Sequence, residues 1–312
     1  MSNESNQNAK NSVRRDMLRV YIVVFATLVC GLKGHCQLKK FYTVKDEATF
    51  DTVAFSLKAT SGTCFINPAD NEEPVTIYGN PSFSEVNPTF HTEIKNKKNQ
   101  VNLFLEDYNQ KGLSQAISYS MFGNEKSEKN YWKVFLADQK VYDLDLKYGV
   151  GDAFVNLSNL PVSKFKIESG SANVKILYDD DAVNKCAMDT FSVNVDVGNI
   201  ITKNVNKSNA KVVNADVGFG TAVLDFSEGV TEYCKVNVSV GAGKLKIIVP
   251  ENNYPAIIYF KSSPLCNITL SQAFEEVDEN VYVNRSYSAN AKNLLEFNVD
   301  VALGNIIFEY VK

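Results

Sequence analysis

The chain has 312 residues, 32 basic and 36 acidic, with a net charge of −4, and 45% of its residues are hydrophobic. That is ample chain for a large core. A mildly acidic chain lacks the basic face that phosphate contact requires, which argues against a nucleic-acid partner.

Residues 1–36 read as an export signal. A polar run ends in Arg14-Arg15, Met17–Leu32 is mostly apolar despite Arg19, and Gly34-His35-Cys36 precedes Gln37. These are a charged n-region, a short apolar h-region and small residues at a cleavage point. Met17–Leu32 is shorter than the roughly 20 residues a spanning helix needs; a retained signal-anchor is the alternative. The −3 and −1 residues before Cys30 and Cys36 do not fit lipid attachment. Cleavage after Cys36 leaves 27 basic and 34 acidic residues, a net −7, with Arg285 the one arginine and His91 the one histidine. The mature chain is then exported, to the periplasm, cell surface or medium, without a membrane span.

Residues 37–140 form an irregular β region. Phe55, Leu57 and Ala59 lead to Gly62, followed by turn-rich Pro68–Glu73, strand-like Val75–Tyr78, a loop at 80–89 and a polar basic patch at Lys95–Gln100. Val101–Leu105 is apolar, Gly112–Gly123 fits a short helix or a long loop, and Tyr131–Leu136 returns to strand character. The region reads as eroded repeats or as a separate β layer.

From residue 141 to 312 one pattern recurs, clearest at Val236–Val249. Counted from Gly243, apolar residues fall at −7, −5 and −3 (Val236, Val238, Val240) and at +2, +4 and +6 (Leu245, Ile247, Val249). Period-two alternation on both sides predicts two half-buried strands, and glycine supplies the backbone angles of the corner between them. Gly151, Gly220 and Gly304 fit the same ruler; Gly62, Gly170 and Gly198 centre looser copies, and a degraded one centres on Pro264. The spacing of about 22 residues predicts an all-β chain wound as a parallel β-solenoid, right-handed and β-helix-like, in which each coil buries its inner face on its neighbours. An antiparallel sandwich is the alternative, since glycine turns also make hairpins. Insertions fall at Asp179–Asp189 and Gln272–Arg285, the second with room for a short helix.

Four cysteines follow the signal. Cys64 and Cys266 read as inward at +2, and Cys186 and Cys234 lie in turn-like stretches where an exported protein could join them. The three full pairings stay open.

Candidate chemistry is sparse, and the ruler predicts no catalytic residue, cofactor or metal. His91 is the only imidazole available to a nucleophile system. Asp179-Asp180-Asp181 offers oxygen ligands without regular calcium-loop spacing, and Glu275-Glu276 with Asp278-Glu279 reads as one charged helical face. Two outward columns carry information. The −6 column (Ser56, Asp145, Lys164, Ser192, Asn214, Asn237, Asn298) predicts a ladder of stacked amides. The +3 column places Phe154, Ile201, Val223 and Ile307 on the outer face, a candidate interaction stripe unless residues 63–140 cover it.

Tyr142–Val174 and Phe297–Tyr310 resemble the toastrack-type domains of bacteria, adhesin-like β-helical repeats whose functions are mostly unassigned. The resemblance implies a structural repeat with no catalytic residues to carry over. The expectation is an exported, non-enzymatic surface or envelope protein whose partner is a glycan, a surface protein or a second copy. The alternative is a carbohydrate-active β-helix enzyme. N-terminal mass analysis of the native protein should find a chain beginning at or near Gln37; a chain keeping Met17–Leu32 in membranes overturns the export signal.

Overall fold

The computed structural model describes residues 40–80, 86–107, 131–250, 254–262 and 264–310. The export signal and the 112–123 segment lie outside them. The described residues are all-β and form one large mixed sheet of β1 (Lys40–Val44), β2 (Thr52–Pro68), β3 (Val75–Asn80), β4 (Val86–Lys95), β5 (Lys98–Asp107), β6 (Tyr131–Leu136), β7 (Val141–Asn156), β8 (Val162–Leu177), β9 (Met188–Lys203), β10 (Ala210–Asp225), β11 (Cys234–Val249), β12 (Ala256–Ser262), β13 (Cys266–Leu270), β14 (Phe274–Asp278), β15 (Val281–Asn284) and β16 (Leu295–Tyr310).

The long strands β2, β7–β11 and β16 stack in parallel and in register, so equivalent corners meet: Gly62 pairs with Gly151, Gly198 with Gly220, Gly220 with Gly243, and Gly243 with Gly304. The alternation holds on both sides of the corner. Val236, Val238, Val240, Leu245, Ile247 and Val249 are all buried, as are their equivalents on the neighbouring rungs β10 and β16 except the partly buried Tyr310. The inner column includes the Phe165–Phe191 pair at 5.0 Å and the Phe297–Phe308 pair at 5.3 Å. In the connections between the long strands Asn159, Asn204 and Asn209 take the left-handed angles that Asn tolerates in turns.

The corner explains the glycines. Gly243 has φ +149°, and a Cβ built there would lie 1.8 Å from the carbonyl oxygen of Gly220 one rung below. No side chain fits that gap. In β8 the corner residue is Ala172, which pairs with Gly151 on one side and Gly198 on the other. The centre read at Gly170 is therefore two residues early. A shift of two keeps every side chain on its own face, but it moves each β8 column. Lys166, not Lys164, stands at −6, Glu168 at −4, and Lys175 at +3.

The C-terminal order also differs from the linear reading. β16 pairs directly with β11, while β12 and β13 pair with the two halves of β16 on its far side. The degraded copy thus caps the stack instead of lying between Gly243 and Gly304. Its corner is Cys266, opposite Gly304, so the Pro264 centre was also two residues early. Cys266 is a corner residue whose thiol donates to the Val301 carbonyl at 2.9 Å, not an inward residue. In β12 the inward residues are Ile258 and Phe260, opposite Phe297 and Val299, and Tyr259 points outward.

The opposite end is built alike. β5 pairs in parallel with the first half of β2 and β6 with the second half. Antiparallel strands then cover three of the four outer half-strands: β4 on β5, β3 on β6 and β1 on β3 at one end, β15 on β12 and β14 on β15 at the other, while β13 pairs with β16 alone among the described strands. Open parallel edges invite pairing with other chains, and these caps remove most of that exposure. The room allowed for a helix at Gln272–Arg285 is filled by the β14–β15 hairpin, turning at Asn280. β4 begins at Val86, inside the stretch read as a loop, and Lys95–Gln100 holds its turn into β5.

Gly243→Ala should lower unfolding stability in urea by at least about 3 kcal/mol, because the new Cβ meets backbone with no room to move. Lys244→Ala, on the exposed next residue, should change it by no more than about 0.5 kcal/mol.

Candidate functional site

The +3 positions face outward on consecutive rungs, with Lys175 at the β8 position. Phe154 stands opposite Lys175, Lys175 opposite Ile201, Ile201 opposite Val223, Val223 opposite Lys246, and Lys246 opposite Ile307. Ile201 is exposed; Phe154, Val223 and Ile307 are half-buried by their neighbours in the column. Phe154 stacks on Phe65 at 5.2 Å, and the Lys175 ammonium sits 5.8 Å from the Phe154 ring centre. Lys246 is held by Glu309 at 2.6 Å. The stripe is apolar with lysines set into it. Residues 86–107 and 131–136 extend the stack at one end instead of lying over the stripe.

A second apolar column escaped the sequence reading. At the residue before each corner glycine stand Val150, Ser171, Val197, Phe219, Ala242 and Leu303, each paired with the next, and Leu265 precedes the Cys266 corner. Val197 is 50% exposed, Phe219 64%, Leu303 50% and Leu265 71%. The signal was present as Gly-X-Gly with apolar X at Gly149–Gly151, Gly218–Gly220 and Gly241–Gly243, but a ruler that counted only alternate residues skipped it.

The −6 amide ladder forms. Asn298 Nδ2 donates to Asn237 Oδ1 at 3.3 Å and Asn237 Nδ2 to Asn214 Oδ1 at 2.9 Å. It borders an open groove of about 460 Å³ lined by Asn214, Asp216, Asn237, Ser239, Tyr259 and Asp300 among others. Beside the groove Glu296 accepts from the Tyr233 hydroxyl at 2.7 Å and from Asn298 at 3.2 Å, with Lys235 at 3.5 Å. Burial pulls the Glu296 carboxyl up, but those donors outweigh it and hold it below the usual carboxylate range. Burial and the bond to Glu296 push the Tyr233 hydroxyl up to about 12. Tyr259 is raised by burial, then by the nearby Glu296 and Tyr287.

A cavity of about 310 Å³ lies on the loop side and is lined by Asn184, Cys186, Ser208, Lys211, Tyr233 and Cys234, among others. Both turn-region cysteines border it, yet each is a thiol. β10 lies between β9 and β11 in the stack, so two rungs, about 9–10 Å, separate their levels, beyond the roughly 7 Å Cα limit for a bridge. Burial pushes both Cys64 and Cys234 up to about 12, which keeps them unreactive. Asn184 holds this loop layer together. Its amide oxygen accepts from Val162 N at 2.8 Å, and its two N–H groups are shared among the carbonyls of Val162, Cys186 and Ser208 at 2.7–2.9 Å.

The remaining candidates are dispersed. His91 sits exposed in β4 opposite Asn102, not in a loop. Asp180 pairs with Lys203 at 2.8 Å and accepts from Asn204, so the acidic triplet is partly neutralised by its own stack. Glu275, Glu276 and Asp278 lie on β14, which replaces the charged helical face with a strand edge. Among the described residues no group of three or more His, Cys, Asp or Glu is placed to hold a metal ion. No helix among them is long and apolar enough to cross a membrane.

These features define a class: an all-β domain of bent strands stacked in parallel and closed at both ends by antiparallel strands. Residues 75–200 match the family described as the N-terminal domain of toast_rack, DUF2154, and the toastrack-type resemblance read from Tyr142–Val174 holds on that segment. No curated protein matches the chain. Among solved structures, a candidate cell adhesion protein from Clostridium sporogenes ATCC 15579 is similar at 16% identity and TM-score 0.43, over 88% of this chain and 99% of that one. A candidate adhesin from Bacteroides fragilis NCTC 9343 is similar at 12% identity and TM-score 0.34, over 88% and 96%. A candidate lipid-binding protein from Parabacteroides distasonis ATCC 8503 is similar at 10% identity and TM-score 0.29, over 88% and 96%.

Asn184→Leu should cost at least about 3 kcal/mol in urea unfolding, since it strands several buried backbone groups at roughly 1–3 kcal/mol each. A cost under about 1 kcal/mol would mean the loop layer does not depend on this amide.

Proposed function

We propose that the chain is an exported, non-enzymatic β-solenoid of about 22 residues per coil that works by presenting its outer columns, as an adhesin-like or envelope surface protein. One observation carries the reading: Val197, Phe219 and Leu303 stand in a column at the corner, half or more exposed, around a core complete without them. Burying such side chains is worth roughly 1.5–3 kcal/mol each, so the column is a ready contact edge for another molecule. The +3 stripe of Phe154, Ile201, Val223 and Ile307 adds apolar area on the adjoining face.

The rival reading, a carbohydrate-active enzyme, requires a carboxylic acid kept protonated near neutrality as a general acid. Among the described residues the carboxyls with shifted titration, Asp143, Glu168, Asp180, Asp189 and Glu296, all move downward. Groups held ionised in this way suit binding better than acid catalysis.

The Phe219→Ser, Leu303→Ser double variant should unfold within about 1 kcal/mol of the parent, because both side chains are outside the core. It should lose at least tenfold in cell-surface retention or self-association. Ile201→Ser with Val223→Ser, run in parallel, separates the two stripes. Retention unchanged in both double variants overturns the surface-presentation reading.

A further inference from the structure

We infer that the groove along Asn214, Asn237, Asn298 and Tyr259 is a binding site for a neutral saccharide chain lying along the stack. The inference rests on the surface-presentation reading above but uses a different face.

The groove is open and shallow, about 460 Å³, with Asp216, Ser239, Asp300 and Lys261 along one side and the amide ladder along the other. A primary amide offers two N–H donors and two acceptor lone pairs. Asn237 gives one N–H to Asn214 and accepts one from Asn298, which uses half its capacity, while Asn298 spends both N–H groups on Asn237 and Glu296. The rest suits groups that both donate and accept, as sugar hydroxyls do. Tyr259 follows Asn298 in the same column and is 39% exposed. A half-exposed tyrosine offers a flat apolar face with a polar tip, which suits the C–H face of a pyranose ring. Tyr233 and Glu296, locked together at 2.7 Å, extend the polar wall.

The charge balance selects the ligand class. Asp216, Glu296 and Asp300 face two lysines, and Lys235 and Lys261 are paired to Glu296 and Asp300 at 3.5 Å each. A slight acidic excess disfavours phosphate, sulfate or uronate chains. The carbon surface of the lining is shallow and open, which suits the C–H faces of sugar rings better than a lipid tail that needs enclosure. Amides recurring every rung, about 4.8 Å apart, meet a linear polymer of hydroxylated rings repeatedly, which rewards a chain over a single sugar.

Affinity electrophoresis of the full chain through gels holding laminarin, mannan or xylan, with polygalacturonate as the anionic comparison, tests this. At least one neutral polysaccharide should retard migration. Tyr259→Ala should weaken that retardation at least tenfold. Ser239→Arg, which removes no ladder or aromatic contact but fills the groove, should weaken it comparably and guards against misfolding of the tyrosine variant. Phe219→Ser with Leu303→Ser should leave it unchanged. No retardation in any neutral gel, retardation by polygalacturonate alone, or full retardation in both groove variants overturns the inference. Should surface retention survive the corner substitutions while the groove variants lose polysaccharide, the presentation reading fails at the corner and the saccharide site stands.

Discussion

Everything in this molecule depends on the contact between one corner and the next. At Gly220 and Gly243 the backbone turns at positive φ, and the carbonyl of the rung below occupies the place a Cβ would take, 1.7–1.8 Å away. At these positive-φ corners only a residue without a side chain permits that approach, and the Ala172 and Cys266 corners keep their side chains without taking positive φ. Once the corners seat on each other the register of both half-strands is fixed. Inner residues then stack on inner residues and outer on outer, with a column at every offset. The core, the amide ladder and the apolar edge are three consequences of one close backbone contact.

This dependence explains what was legible in the sequence. Alternation is local, so the faces of Val236–Val249 could be read directly, and nearly every inward position is buried. Columns are a different matter, because they need the corner located to the residue. In β8 the visible glycine, Gly170, is not at the corner; Ala172 is, and the error moved Lys175 and Glu168 out of their columns without changing their faces. In β12 the faces of Ile257–Phe260 are the reverse of the ruler's, because four steps separate Ser262 from the Cys266 corner where three separate Val301 from Gly304. The place of β16 between β11 and β12 was illegible in principle. It is a pairing across some 60 residues of chain, and no local pattern encodes which edge a strand joins. The capping hairpin was missed for a related reason: Phe274–Asn284 is polar and short, and its strand character comes from the open edge of β12 that it covers.

Surface charge reinforces the stack without dominating it. Lys147 pairs with Glu168 at 3.0 Å, Lys211 with Asp189 at 2.9 Å and Lys203 with Asp180 at 2.8 Å, each a cross-rung contact between neighbouring coils. Such exposed pairs contribute about 0–1 kcal/mol each. Their larger effect is on recognition. Lysines tied to the neighbouring rung do not add up to a basic face, and the −4 column turns from Lys147 to Glu168, Asp216 and Asp300, which leaves no extended basic field there to attract a polyanion.

The out-of-order place of β16 has a consequence for function as well as for stability. Had the coils stacked in sequence order, Tyr259 would follow Asn237 and Asn298 would lie beyond it. With β16 inserted, Asn214, Asn237 and Asn298 run uninterrupted into Tyr259, and Glu296 comes within reach of Tyr233 and Lys235 from β11 and the loop before it. The repeat alone yields identical rungs, and identical rungs make a surface without a distinct place on it. The insertion breaks the repeat at one point while keeping its register, and there an amide row, an aromatic face and an ionised carboxylate converge. That is how a stack built for rigidity acquires a local site without giving up a single inward position of its core.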